Sequence, residues 1–287
     1  VIAGSELFEL ARMLFGMETA ASAQAYGVNL ARWQGSEVEP FSAAVDRLTD
    51  RGAGGVVVFA DRPVAAEALD ELRTGVPVTV VMSGRLQNPA LSTVEIDQDL
   101  GARAATRHLL DLGHRRVAHL AGDPDVFDAH ARLAGWSAEV SGADLDDAVV
   151  LEGSLTAASG FELGLEVAAR RPRPTAVFAA NDAMAMGVLA AFAQVGVRVP
   201  EDVSLVGFDD IPGAGYLVPA LTTVRQDYFE LGQRAMEVLL AQMAGRPAQH
   251  HSIPPELVER RSTAAPAHAE PTSSGAGPGA GSGAVLP

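Results

Sequence analysis

Two carboxylates follow an apolar run that has the length and composition of a buried strand. Asp209 and Asp210 come directly after Val203–Phe208. In an α/β sheet, the loops at the carboxyl ends of the strands are where ligands bind. A carboxylate in such a loop can accept hydrogen bonds from two neighbouring hydroxyls, as a sugar presents them. The alternative is that both aspartates only cap the next turn, and this alternative is stronger for Asp210.

A second polar pair, Asn181 and Asp182, lies where the apolar run Ala176–Ala180 meets a predicted helix. Asn and Asp are favoured as the first capping residue of a helix, because their side-chain oxygen accepts from a free backbone N–H. Capping is therefore a strong alternative to ligand binding here. One residue of the pair can cap the helix while the other faces a cleft.

Arg132 is the one charged residue in the otherwise apolar run 131–136, near the start of a predicted helix. Its planar guanidinium has several donors and could bind the ring and exocyclic oxygens of a ligand. An arginine on the protein surface is the alternative. Asp128, one turn earlier, could contact the ligand or pair with Arg132, and Trp136 is better explained by core packing.

No motif for covalent catalysis, phosphate binding or metal binding is present. The chain has no cysteine, and its seven histidines form no H-E-x-x-H or similar cluster. It contains no G-x-S-x-G elbow and no Walker loop, and the glycine-rich run 275–283 follows no strand. We therefore expect neither an enzyme, nor a metal site, nor a cofactor.

Short apolar runs alternate with amphipathic segments up to about residue 225. Strands that alternate with helices predict parallel sheets covered by helices on both faces. The length of 287 residues, and the repeat of the pattern after about Asp97, favour two small doubly wound lobes over one wide sheet. The predicted strands are Val1–Ala3, Val28–Ala31, Val56–Ala60, Val78–Met82, Val117–Ala121, Ala176–Ala180 and Val203–Phe208. The predicted helices are Leu7–Ala25, Phe41–Arg51, Val64–Arg73, Leu100–Leu112, Ala157–Arg170, Ala183–Gly196 and Phe229–Ala244.

The composition indicates a soluble globular protein with little affinity of its own for nucleic acid. The formal net charge is −15 at pH 7, and the basic pairs are scattered along the chain, whereas DNA binding normally needs clustered Lys and Arg. The longest apolar runs are too short to span a bilayer, and no secretory signal opens the sequence. We expect a cytoplasmic location without membrane contact. The Ala-, Gly-, Pro- and Ser-rich tail 265–287 is expected to be disordered.

Several blocks in one order carry a resemblance to a known family. They are RVPEDVSLVGFDDIP (198–212), GARAATRHLLDLGHRRV (101–117), ARLAGW (131–136), PTAVFAANDAMAMG (174–187), LTTVRQD (221–227) and ELVERRST (256–263). Together they resemble the effector-binding core of LacI/GalR-type bacterial transcription repressors, in the branch similar to the lactose repressor. The resemblance covers about residues 1–264.

This resemblance implies a periplasmic-binding-protein type I fold, with a small molecule held between two hinged lobes. It implies an amino-terminal lobe of residues 1–97 with 228–251, and a carboxyl-terminal lobe of residues 98–225 with 252–264. It assigns Asn181 to the ligand and leaves Asp182 as the helix cap. The implied ligand contacts are Ser5, Phe8, Asp128, Arg132, Asn181, Asp209, Gln226 and Tyr228.

The implied function is that of a transcription regulator, most simply a repressor, whose operator binding changes when a sugar-like effector binds. The helix-turn-helix that contacts operator DNA in this family is absent from the sequence, and a homodimer is expected. A periplasmic-type sugar-binding protein of a transporter, which shares the fold, is the alternative.

Two departures from the family pattern weaken the case for a simple galactoside effector. Met82 stands where sugar-responsive relatives often have a carboxylate, and Leu155 stands where many have a tryptophan that stacks on a sugar ring.

Overall fold

The computed structural model of the protein describes residues 7–31, 41–84 and 86–267, and of residues 7–9 it describes the backbone alone. The predicted strand Val1–Ala3, the residue Ser5 and the tail from residue 268 onward therefore lie outside the described residues.

Helices and strands alternate along the described chain. In chain order they are α1 (Leu7–Ser22), α2 (Phe41–Thr49), β1 (Val56–Phe59), α3 (Pro63–Asp70), β2 (Val78–Val81), β3 (Ser92–Ile96), α4 (Gln98–Asp111), β4 (Arg116–Ala121), α5 (Phe127–Ser141), β5 (Asp147–Glu152), α6 (Ala157–Ala169), β6 (Ala176–Ala179), α7 (Asp182–Val195), β7 (Ser204–Asp209), β8 (Thr222–Arg225), α8 (Tyr228–Met243), β9 (His250–Ile253) and β10 (Glu256–Val258). None of these helices is long and apolar enough to cross a bilayer.

The strands form two sheets, and each sheet has helices on both faces. The first sheet is parallel, in the order β1-β2-β3-β9, and packs between α2–α3 and α1–α8. The second has the order β10-β8-β7-β6-β4-β5, and only β10 pairs in the antiparallel sense. It packs between α4–α5 and α6–α7. This architecture confirms the predicted α/β fold of two doubly wound parallel-sheet lobes.

Successive side chains of a strand point to opposite faces of the sheet, which explains why nearly uninterrupted apolar sequences form the strands of the second sheet. In β7, Val206 and Phe208 pack toward α4 and α5, whereas Leu205 packs toward α6 and α7. Because both faces are covered, both sets of side chains must be apolar. Buried polar residues inside these strands, such as His119 in β4 and Thr223 in β8, therefore need hydrogen-bond partners within the protein, which the Phe178 carbonyl and Asp182 provide.

The chain passes between the two units three times, and these crossings lie beside the candidate site. The first joins β3 to α4, the second joins β8 to α8, and the third joins β9 to β10. The third falls after Ile253, two residues beyond the boundary expected at 251–252. It does so because Ser252 and Ile253 still pair with Glu95 and Ile96 of the first sheet.

The strand predictions need correction in two ways. Residues Val28–Ala31 form no strand, and the side chains of Val28 and Leu30 are exposed, so no burial of these side chains favours a strand there. The strands β3, β5, β8, β9 and β10 were not predicted as strands. In β5 most side chains are exposed because the strand lies at the edge of its sheet, although it contains the apolar run Ala148–Leu151.

Candidate ligand-binding site

Strand β7 ends in two aspartates whose backbones both have positive φ. The φ angles are 112° at Asp209 and 51° at Asp210, a region that residues other than glycine rarely adopt. Asp182 holds this turn, since its Oδ2 accepts from the backbone N–H of Ile211 at 3.0 Å. Its Oδ1 accepts from the Thr223 hydroxyl at 2.6 Å. The turn is thus fixed by a buried carboxylate from the neighbouring strand end.

Asp182 itself is completely buried, and the sequence makes room for it. A Cβ at residue 207 would collide with Asp182 Oδ1, so Gly207 is the residue that lets the carboxylate approach β7. Burial first, and then the nearby charge of Asp209, raises the pKa of Asp182 to about 7. Its protonation therefore changes near neutral pH.

Arg132 lies inside the protein, so the surface alternative for this arginine is wrong. Only 4% of the residue is exposed. Its Nε donates to Gln98 Oε1 at 2.9 Å and its Nη1 donates to the Ala180 carbonyl at 2.6 Å. The guanidinium also stacks 4.0 Å from the centre of the Phe208 ring, a cation–π contact. These contacts fix both the position and the plane of the guanidinium.

Carboxylate and amide groups surround this guanidinium. Asp209 Oδ1 lies 3.3 Å from Arg132 Nη2, and Asp128 Oδ2 lies 3.8 Å from the same nitrogen. Gln226 Nε2 donates to Asp209 Oδ1 at 2.8 Å and to Tyr228 Oη at 2.7 Å. The structure thus brings together five of the predicted ligand residues: Asp128, Arg132, Asp209, Gln226 and Tyr228.

Gln98 joins this group, although it was not among the predicted site residues. It is 3% exposed and is the first residue of α4, directly after the first crossing. Its Nε2 donates to Gln226 Oε1 at 2.6 Å, while its Oε1 accepts from Arg132. Arg132, Gln98, Gln226 and Asp209 therefore form a closed chain of contacts, which we call the polar ring. A polar residue beside a helix cap, at a crossing that must be buried, was the available signal.

Asn181 caps α7, and the expectation that Asp182 is the cap is wrong. Asn181 Oδ1 accepts from the backbone N–H of Met184 at 2.9 Å, and its Nδ2 donates to the Leu155 carbonyl at 3.0 Å. Asp182 cannot cap because Thr223 and the 209–211 turn engage its carboxylate. Asn181 stays next to the site, since the preceding carbonyl is a partner of Arg132.

Asp210 is part of a different group of charges. Its Oδ2 accepts from Arg225 Nε at 2.8 Å, and its Oδ1 accepts from Arg260 Nη2 at 2.6 Å. Arg225 ends β8, and Arg260 follows β10. Asp210 thus joins the carboxyl-terminal strands, in agreement with the stronger structural explanation expected for it.

The two units also touch between the loop after β1 and the start of α5. The Phe127 N–H donates to the Asp61 carbonyl at 2.9 Å, and the Phe127 ring packs against the core of the first unit. Arg62 Nη2 lies 3.0 Å from Asp123 Oδ2. Burial raises the pKa of Asp61. The two units therefore make contacts near the start of α5 as well as at the three crossings.

The first unit's predicted contributions are only partly described. Ser5 lies outside the described residues, and Phe8 lies in α1 without a described side chain. Met82, one of the two departures, is 4% exposed and belongs to the core of the first unit. Within the described ranges, no group of three or more acidic or histidine side chains could hold a metal ion.

Two α/β units with polar groups concentrated where the chain crosses between them define a small-molecule-binding core of the periplasmic-binding-protein type. The model of the periplasmic binding protein-like domain family matches residues 106–263. The chain belongs to this family and, within it, to the LacI family of transcription regulators, which its relatives define.

Curated relatives are repressors and not enzymes, as the sequence predicted. The chain is 30% identical over 265 residues to the HTH-type transcriptional repressor PurR of Erwinia tasmaniensis, covering 91% of this chain and 77% of the relative. It is 34% identical over 233 residues to the lactose operon repressor of Escherichia coli K12. That match covers 80% of this chain but only 64% of the lactose repressor, less than two thirds of its length.

Solved structures of the same family are similar throughout the core. A LacI family transcriptional regulator from Enterococcus faecium with bound ribose has a TM-score of 0.79 at 26% identity, covering 92% of this chain and 98% of its own. A dimeric Lac repressor with a carboxyl-terminal deletion has a TM-score of 0.81 at 30% identity, also covering 92% and 98%.

Proposed function

We propose that this chain is the effector-sensing core of a LacI-type transcription regulator, and that a small polyhydroxylated molecule, a sugar, binds between its two lobes. The observation that carries the proposal is the polar ring at the crossings. It places a carboxylate, a guanidinium and an amide within reach of one another in a site between two α/β units.

The chemistry of these groups supports a sugar as the effector. Asp209 can accept from two adjacent hydroxyls, and Arg132 can donate to ring or hydroxyl oxygens; Gln226 can donate to the ligand only in exchange for its bond to Asp209 or Tyr228. The Enterococcus faecium relative is described with bound ribose. Purine bases are the competing class, because carboxylates and amides also pair with the edges of nitrogen heterocycles.

The lobes of the proposed sensor are residues 1–97 with 228–253 and residues 98–225 with 254–264. A ligand that contacts both lobes stabilises one closure angle over others, and it shifts the population of states only through this difference in affinity. The closure angle then sets the spacing of two DNA-binding heads in a dimer, and so the operator affinity. With a net charge of −15, the core itself contributes no DNA contact in this scheme, which operates in the cytoplasm.

A homodimer is part of this proposal, and the exposed loop after β7 is the surface that we assign to it. Tyr216 is 89% exposed and Val218 is 92% exposed, and the similar Lac repressor structure is described as dimeric. Met13 and Met17 of α1 are buried against α8, so they are not part of this surface. Replacing Tyr216 and Val218 with Ser should shift the molar mass measured by light scattering from dimer toward monomer. A molar mass that stays dimeric would exclude this surface.

The transporter alternative receives no support. The lactose operon repressor and PurR, to which the chain is similar, are transcription repressors, so we do not propose a transport receptor.

A thermal-shift screen tests the effector proposal. One arm contains ribose, galactose, glucose and common disaccharides, and the other contains adenine, guanine and hypoxanthine. We expect a rise in melting temperature with a member of the sugar arm. A rise with purines alone would replace the sugar by a heterocycle, and a rise with neither arm would count against the sugar proposal.

Matched variants locate the site of any hit. Asp209→Ala and Arg132→Ala should each abolish the shift in melting temperature, because each removes a side chain of the polar ring that is proposed to contact the ligand. Asp202→Asn is the control, since Asp202 forms a surface ion pair with Arg198. A shift that persists in the two ring variants would exclude the assigned site.

A further inference from the structure

Gln98 and Gln226 lie on two different crossings between the lobes. Gln98 follows the crossing from β3 to α4, and Gln226 lies on the crossing from β8 to α8. Both side chains are buried, at 3% and 5% exposure, and the hydrogen bond between them measures 2.6 Å. This bond ties the two connecting segments together at the hinge itself.

The hydrogen bonds of the two amides fix which atom of each side chain is the donor and which is the acceptor. Gln98 Nε2 uses its hydrogens on the Ile96 carbonyl, at 3.3 Å, and on Gln226 Oε1. Gln226 Nε2 uses its hydrogens on Asp209 and Tyr228. Turning either amide over would place oxygen against oxygen, so each amide fixes the orientation of the other.

Both ends of this chain of amides reach residues proposed to bind the effector. Gln98 Oε1 accepts from Arg132 Nε, and Gln226 donates to Asp209. A movement of Arg132 or Asp209 on ligand binding therefore changes a contact made by a residue of a crossing segment. Conversely, a rotation of the lobes that separates the two crossings must break or rebuild the ring.

We infer that Gln98 is a positioning residue that couples the effector site to the hinge between the lobes. This inference rests on the proposed function for its ligand, but the coupling itself is a property of the ring. Gln98 orients Gln226 and Arg132 at once, and it joins two crossings into one unit that moves with the ligand-binding side chains.

A simpler role, in which Gln98 only fills space and supports Arg132, predicts different behaviour for two variants. Gln98→Ala removes the contacts to Arg132 and to Gln226. Gln98→Glu has nearly the same shape and still accepts from Arg132, but its carboxylate cannot donate to Gln226 Oε1. Coupling through the hinge requires that both variants lose the single interlobe distance of the parent. If Gln98 only supports Arg132, Gln98→Glu keeps that distance, because its carboxylate still accepts from Arg132.

The experiment measures the distance between the lobes without any ligand. The chain has no cysteine, so spin labels can be placed on Asp46→Cys in α2 and Glu162→Cys in α6, both exposed positions. Pulsed electron–electron resonance then gives the distance distribution in the parent and in each variant. Gln242→Ala is the control, because Gln242 donates to the Ala90 carbonyl away from the ring.

We expect one narrow distribution for the parent and for Gln242→Ala. Gln98→Ala and Gln98→Glu should both lose this single peak and shift weight to other distances. A parent-like distribution in Gln98→Glu would overturn the inference, as would equal broadening in Gln242→Ala. If Gln98→Ala fails to fold, the similarly shaped Gln98→Glu still decides.

A ligand arm separates this inference from the proposed function. With ribose, or with the sugar that gives the largest shift in the screen, Gln98→Glu should bind roughly 10-fold or more weakly, because a buried acceptor on Gln226 is left without its donor. If no sugar binds the parent, the proposed effector fails, and the ligand-free distances still test the hinge.

Discussion

Replacing Asp182 with Asn should remove a pH-dependent loss of stability near neutral pH. Burial and the charge of Asp209 raise the pKa of Asp182 from 3.8 to about 7. The native state therefore holds a proton that the unfolded chain has already released between about pH 4 and pH 7. The free energy of unfolding of the wild type then falls as the pH rises through this window, and this contribution is constant above it.

The size of this effect follows from the pKa shift. A shift of about three units, at 1.36 kcal/mol per unit, corresponds to about 4 kcal/mol. In Asp182→Asn the amide cannot ionise, and it keeps both contacts: its oxygen can accept from the Ile211 N–H and its nitrogen can donate to the Thr223 hydroxyl. We therefore expect the variant to match the wild type at pH 4 and to be more stable by up to about 4 kcal/mol at pH 8.

Urea unfolding followed by circular dichroism, from pH 4 to pH 8, measures this difference. The contributions of groups that titrate in both proteins cancel when the free energies of unfolding of the variant and the wild type are compared at each pH. Asp202→Asn is the control, since its ion pair with Arg198 lowers the pKa of Asp202 to about 2. That stabilisation is lost only below about pH 4, so the control difference stays constant in the measured window. A constant difference for Asp182→Asn would refute the reasoning.

Three further predictions concern packing and charge. Arg132→Met should cost about 3 kcal/mol in urea unfolding, because Asp209 remains buried without its cation; a loss below 1 kcal/mol would contradict this. Gly187→Ala should lower the melting temperature by several degrees, since its Cβ collides with a carbonyl of α6, whereas Gly142→Ala, with no atom within 4 Å, should change little. Burial lowers the pKa of His119 to about 4, so the free energy of unfolding should fall by about 3 kcal/mol as the pH falls from 6.5 to 4. If this free energy depends on pH in the same way in His119→Asn, His119 is not the source of the loss.

The sequence predicted elements where local pattern and burial agree. The run Val203–Phe208, bounded by Pro200 and by Asp209, corresponds to β7, and the predicted helix Ala157–Arg170 differs from α6 by one residue. The failures show that a local apolar pattern does not decide strand formation by itself. The apolar run Ala148–Leu151 forms β5 by pairing with β4, whereas Val28–Ala31 form no strand and Val28 and Leu30 remain exposed.

The candidate site was predictable as a set of residues but not as a network. Strand ends and the family resemblance named Asp209, Arg132 and Gln226, and the structure brings them together. That Asn181 rather than Asp182 caps α7 was not predictable, because both residue types cap helices well in isolation. The choice is made by Thr223 and the 209–211 turn, which are distant in sequence and offer hydrogen bonds only to Asp182.

In the proposed effector site, the polar ring determines how a ligand can gain affinity and selectivity. Asp209, Gln226 and Arg132 already bond to ring partners, so a ligand hydroxyl that reaches Asp209 replaces an existing bond. Such an exchange contributes only about 0.5–1.5 kcal/mol, so most of the affinity must come from apolar surface buried as the lobes close. A ligand that presents an apolar group to Asp209 must break a ring bond without replacing it, at a cost of about 1–3 kcal/mol, or roughly 5- to 150-fold in affinity. The ring therefore selects mainly by penalising the wrong ligand, and weakening it through Gln98 should broaden the range of ligands bound.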